Sequence, residues 1–309
     1  MKRVVRWSLR VAIAVWVLAA TREPEARARQ VRAPTQFGRA GAFRSPRVRE
    51  SSGVAVSRRH PGILWTHNDS GDGAYLYLSN LAGDDLGRFH LGGVWAEDWE
   101  DLALARCPDQ AGDCLFIADT GDNLERRPYL RIYILPEPPD LAAASRDTGA
   151  IEVTGTREVR LRYPDRPHDV EAIWVEPGGA VMLVTKGTTG PVLRFVILRA
   201  ALLGDSTVAR LVDTLPIVPR RALGRWVTGA AISPSGRRVV VRTYTELYFF
   251  RRQGVSLAPD GPPCWLGAAE PRGEAVDFLG EETLVLTSEA VLNQEPTIHT
   301  VRCDPAAPR

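Results

Sequence analysis

Two short segments carry the residues best suited to chemistry: His67-Asn-Asp-Ser-Gly-Asp72 and Ala118-Asp-Thr-Gly-Asp-Asn123. Each gathers carboxylates, an amide and a glycine into six positions. Hard oxygen donors at that density suit a hard divalent cation, with backbone carbonyls completing the shell. Three more acidic segments open strand-like runs: Asp98-Trp-Glu-Asp101, His168-Asp-Val-Glu171 and Arg272-Gly-Glu274. Carboxylates that meet in one concavity repel unless a cation or protons compensate them. The expected ligands are Asp69, Asp72, Glu100, Asp119, Asp122, Asn123, Glu171 and Glu274, and the expected ion is calcium. Neither loop is an EF-hand, because the closing glutamate of that motif is missing. The same residue types also form tight turns through Asx hydrogen bonds, with no ligand at all. His67 and His168 flank the acidic segments and, with Glu100 and Glu171, are the candidate proton carriers. No Gly-x-Ser-x-Gly elbow, phosphate loop or dinucleotide fingerprint is present.

The elements that must position these residues are strands. Apolar runs of four to eight residues recur between Gly, Pro, Asn, Asp and Ser. Five segments share one pattern, an acidic or glycine-bearing approach followed by a strand of small apolar residues: 50–57, 98–105, 168–175, 226–233 and 272–278. A second and a third strand follow each one, and fourth strands are visible at 87–91, 158–163 and 209–215, more faintly at 264–267. Repeated four-stranded units imply propeller blades, whose innermost strand needs small residues at the crowded axis. The expectation is a single all-β propeller of five blades at 41–309, closed by an N-terminal strand at 40–48. Six blades result if 137–166 hides an irregular unit. Short helical turns are expected at 140–145 and 199–203. In this topology the blade openings and the loops between second and third strands share one channel mouth, so the acidic segments converge. Gly229 stands where other units carry an acid and interrupts the ring.

Lys2, Arg3, Arg6 and Arg10 precede an unbroken apolar run at 11–20, the pattern of a signal peptide, with cleavage near residue 20 and as late as 28, or of an uncleaved signal anchor as the alternative. Residues 21–40, rich in Arg, Ala and Pro, read as a disordered linker. A secreted or periplasmic location follows, with no membrane association after cleavage. Cys107 and Cys114 flank a turn-rich stretch and invite a disulfide; Cys264 and Cys303 then pair by elimination, with free buried thiols as the alternative. Formal net charge is +2 and the basic residues concentrate at the N-terminus, so a nucleic-acid partner is not expected. The expected partner of a monomer is a small molecule or extracellular ligand at the channel mouth.

At Trp65-Thr-His-Asn-Asp-Ser-Gly-Asp72, Asp98-Trp-Glu-Asp-Leu-Ala103 and Ile117-Ala-Asp-Thr-Gly-Asp-Asn123 the chain resembles a group of exported bacterial β-propellers of poorly characterised function. Val227-Thr-Gly-Ala-Ala-Ile-Ser233 and Cys303 agree, and the resemblance runs from about residue 50 to 303. More distantly it is similar to esterase-like, phytase-like and gluconolactonase-type propellers. That resemblance implies a central metal held by Glu, Asn and Asp, and nominates Glu100, Glu171, Glu274, Asp69 and Asp119. Three functions compete: a metal-dependent hydrolase of esters, lactones or phosphoesters, a non-enzymatic binding or scaffold propeller, and a glycoside hydrolase.

Overall fold

A computed structural model describes residues 31–141, 149–218, 224–267, 269–291 and 294–304. The expected signal peptide, half of the expected linker and most of the expected turn at 140–145 lie outside the described residues.

After β1 (Gln36–Ala42) the chain forms β2 (Ser51–Val56), β3 (Leu64–Asn68), β4 (Tyr75–Ser79) and β5 (Arg88–Leu91). The second unit holds β6 (Trp99–Arg106), β7 (Asp113–Asp119), β8 (Leu130–Pro136), β9 (Ile151–Val153) and β10 (Arg157–Arg162). The third holds β11 (Val170–Val175), β12 (Val181–Thr185), β13 (Leu193–Ile197), β14 (Ser206–Val208) and β15 (Arg210–Thr214). The fourth holds β16 (Val227–Ile232), β17 (Arg238–Thr243), β18 (Glu246–Gln253), β19 (Ser256–Pro259) and β20 (Cys264–Trp265). The last is β21 (Gly273–Phe278), β22 (Thr283–Ser288) and β23 (Thr297–Arg302). The expected turn at 199–203 is a 3-10 helix, Arg199–Leu203.

Apart from β9 and β14, the strands of each unit pair antiparallel in one sheet, so the fold is a five-bladed β-propeller. The inner strands β2, β6, β11, β16 and β21 pack on one another in turn, and β21 returns to β2. Alternate residues of each blade face the blade before and the blade after. The buried apolar residues accordingly form five clusters, each between two neighbouring blades. The sixth-blade alternative fails. From the stretch that suggested it, β10 becomes the fourth strand of blade two, and β9 pairs parallel with β5 on the edge of blade one. β14 does the same for blade two, pairing parallel with β10. Both strands cover an edge that would otherwise be open.

β1 closes the ring by pairing antiparallel with β23. It lies earlier than the expected 40–48, and Arg32 already bridges Cys264, so ordered structure begins inside the expected linker. Composition concealed this strand because it is a half-exposed edge with no apolar alternation. Cys264–Cys303 links β20 to the end of β23 at this joint, and Cys107–Cys114 closes the β6–β7 hairpin. Two disulfides suit an oxidising compartment. Among the described residues, no helix is long and apolar enough to cross a membrane.

Candidate cation site at the channel mouth

One irregularity, repeated in all five inner strands, builds the mouth. Pairing of inner strand to second strand slips at Ser52, Glu100, Glu171, Thr228 and Glu274-Ala275. A bulge leaves its extra residue out of the ladder and re-aims the side chain. The ring at this level is therefore Ser52, Glu100, Glu171, Thr228 and Glu274. The expected interruption in the fourth unit is present, at Thr228 rather than Gly229, and Ser52 makes a second one in the first unit. The position belongs to Thr228, whose hydroxyl donates to the carbonyls of Gly273 and Glu274. Gly229 lies beside it, where a Cβ would come within 2.8 Å of the Glu274 carbonyl oxygen. Ser52 behaves like Thr228 and donates to the Glu100 carbonyl.

The loops add a second layer. Oxygens of Asp69, Asp98 and Glu100 lie within 4.8 Å of one another, and so do oxygens of Glu100, Asp169 and Glu171. Lys186 Nζ stands 2.6 Å from Glu171 Oε1, 3.3 Å from Asn123 Oδ1 and 3.9 Å from Asp169 Oδ2. Burial, then Asp69 and Asp169, push the Asp98 carboxyl up to about 7. Burial and Asp169 raise Glu171 to about 8 against the pull of Lys186. Glu100 is raised well above the usual range by burial, Glu171, Asp69 and Asp98. Glu274 is raised by burial, Glu171 and Glu289. Burial alone would lower the Lys186 pKa, but Glu171, Asp169 and Glu100 outweigh it and keep the ammonium charged. Tyr244 completes the rim from blade four, its phenol held protonated by burial and by Glu274.

Three features of this set bear on its fit to a cation. Asp169 is 2% exposed, yet its Oδ2 accepts no hydrogen bond. Gly121 offers bare backbone to the carboxylates: a Cβ there would fall 2.2 Å from Glu100 Oε1 and 2.4 Å from Asp98 Oδ2. Among the described residues, no ion pair reaches Asp69, Asp98 or Glu100. The donor set fits a hard divalent ion.

The expected ligands divide. Asp69, Glu100, Glu171 and Glu274 belong to the mouth, and Asn123 reaches it through Lys186. Asp72, Asp119 and Asp122 are occupied elsewhere. Asp72 accepts from Asn68 Nδ2 and the Tyr77 hydroxyl. Asp119 pairs with Arg127 and Arg131 and accepts the Glu97 and Asp98 backbone N–H groups. Asp122 accepts the Arg127 N–H.

Neither histidine belongs to the carboxylate groups of the mouth. His67 is fully buried between Gly53 and Trp99, its Nε2 is sealed without a partner, and burial lowers its pKa to about 4. His168 bonds Asp165 through Nε2 and packs between Tyr163 and Phe195. Arg242, near the end of β17, is wholly buried against Glu270 and the Ala275 and Thr287 carbonyls. Asp98, Asp169 and Tyr244 are the participants that the ligand pattern missed. Asp98 and Asp169 carried a signal, since each lies two residues before a bulge glutamate. A separate cavity of about 390 Å³ opens on the opposite end of the inner strands, lined by Leu104, Trp174, Ala231 and Leu279, and no mouth carboxylate lines it.

Fold and site together define a five-bladed propeller with an acidic, lysine-bearing mouth. No protein-family model and no curated protein sequence matches the chain. Among solved structures, it is similar to a PQQ-bound aldose sugar dehydrogenase from Streptomyces coelicolor, 13% identical, covering 87% of this chain and 99% of that one, with a TM-score of 0.46. It is also similar to a gluconolactonase from Xanthomonas campestris, 12% identical, covering 86% of this chain and 89% of that one, with a TM-score of 0.43.

Proposed function

We propose that the mouth binds one divalent cation, calcium in an exported setting, and that the protein is a cation-dependent hydrolase of an ester, lactone or phosphoester. The observation that carries this is the open cradle of Asp69, Asp98 and Glu100 against the bare backbone of Gly121, with no basic side chain paired to it among the described residues. A cation held there supplies Lewis-acid polarisation of a substrate oxygen. Glu171, with a pKa near 8, titrates where a general acid or base is effective. Lys186 fixes its Oε1, leaving the other oxygen to exchange a proton. The Tyr244 phenol stays protonated and serves as a donor on the rim. The two disulfides support a secreted or periplasmic location.

The test is a calcium titration of chelator-treated protein, followed by a screen of ester, lactone and phosphoester substrates with calcium or with chelator. Calcium-dependent turnover that Glu100→Gln abolishes is expected. Absence of any calcium-induced stabilisation overturns the proposal. The burial of both histidines favours a second reading, a non-enzymatic ligand-binding propeller; calcium binding with no turnover across the screen decides for it.

A further inference from the structure

The mouth contains two three-carboxylate groups that share Glu100. They differ in what faces them. The Asp69–Asp98–Glu100 group has no ion pair among the described residues, whereas the Lys186 ammonium stands against the Glu100–Asp169–Glu171 group, 2.6 Å from Glu171 Oε1. Asp169 Oδ1 is used by the Asp122 N–H, but Oδ2 is bare, buried and 3.9 Å from Nζ. This second group therefore already holds a positive charge, and still presents an orphan oxygen beside it. A divalent ion on the same oxygens would lie within a few ångströms of the ammonium, where like charges in a poorly screened site repel strongly.

Resting on the cation site proposed above, we infer that Lys186 is a built-in cation that fills the Glu100–Asp169–Glu171 group. It limits the mouth to one divalent ion at Asp69–Asp98–Glu100 and masks a second ion site. The lysine is a stand-in: a tethered ammonium supplies the charge that the group needs without requiring a second ion from solution. Removing that charge while keeping the apolar stem opens the masked site.

Calcium stoichiometry, measured by equilibrium dialysis on the full chain after chelator treatment, tests this without reference to activity. The expected values are one ion per chain for the unaltered protein and two for Lys186→Met. Lys186→Gln should also give two, and Lys186→Arg, which keeps the charge, should give one. Asp98→Asn should remove one ion from each background. Asp169→Asn tests the inference with Lys186 in place: it should leave one ion bound, with affinity changed less than about threefold. Two ions in the unaltered protein, one ion in folded Lys186→Met, or loss of binding in Asp169→Asn would each overturn the role of Lys186 while leaving a cation site standing. No ion bound to the unaltered protein overturns the cation site itself.

Discussion

Asp101 Oδ2 accepts the backbone N–H of Ile173 at 2.8 Å, tying the inner strand of blade two to that of blade three. The same oxygen accepts the Ala230 N–H of blade four at 3.2 Å, and Oδ1 accepts the Leu102 N–H. One carboxylate thus holds three inner strands one residue beyond the bulge that carries Glu100. The position of Glu100 depends on this tie.

Asp101→Ala leaves three buried donors without an acceptor. Each unsatisfied group costs about 1–3 kcal/mol, so a loss of roughly 3–9 kcal/mol is expected in urea unfolding. Asp101→Asn retains one oxygen acceptor and turns an amide N–H2 toward a donor, and should fall between. A folded Asp101→Ala variant as stable as the parent would remove the tie from the account.

The mouth carboxylates set a pH dependence for the cation-free protein. Asp98 and Glu171 have folded pKa values of about 7 and 8, above the ordinary carboxylate range. The folded state therefore binds more protons than the unfolded chain between about pH 4 and 8, and stability falls as pH rises through that window. His67 acts oppositely, because its folded value of about 4 lies below its ordinary 6.5, but its contribution is complete above pH 6.5. With chelator present, the melting temperature should fall from pH 6.5 to 8.5. Saturating calcium should flatten that fall, since the ion replaces the protons. A level profile in chelator would contradict the buried, uncompensated charge.

Gly121 separates the ion site from the fold. Its φ is not left-handed, so alanine is allowed by the backbone. The nearest atoms to a new Cβ are the carboxylate ends of Asp98 and Glu100, which are free to swing aside. Gly121→Ala should weaken calcium binding at least about tenfold, the equivalent of about 1.4 kcal/mol, and leave the cation-free melting temperature nearly unchanged. Calorimetric titration checks the first and a thermal melt the second. Unaltered affinity would show that these carboxylates do not hold the ion.

The propeller was legible because its inner strands repeat and because blade packing demands small residues at the axis; Ala55, Ala172, Ala230 and Ala275 are all buried there. The convergence of Glu100 and Glu171 followed from topology alone. Three things were not legible. A bulge shifts alignment by one residue, so Gly229 was matched with positions that belong to Thr228. The closing strand β1 is an exposed edge whose partner, β23, lies at the far end of the chain. Asp119 resembles a ligand in sequence, and its capture by Arg127 and Arg131 depends on contacts between loop and strand that no spacing encodes.

The two disulfides should differ in weight. Cys107 and Cys114 are 7 residues apart, whereas Cys264 and Cys303 are 39 apart. Chain-entropy accounting assigns about 2 kcal/mol to the shorter loop and about 4 kcal/mol to the longer. The longer one also pins the joint where β1 lies along β23 and Arg32 pairs with Cys264. Losing it should loosen closure as well as relax the unfolded chain. Cys264→Ser with Cys303→Ser is therefore expected to lower stability more than Cys107→Ser with Cys114→Ser. In limited proteolysis the first pair should also expose residues 31–42 to early cleavage, because β1 is held by one partner strand and this joint. Urea unfolding of both double variants, with proteolysis mapped by mass, measures the two effects. Equal losses and an unchanged cleavage pattern would mean that pairing with β23 alone closes the ring.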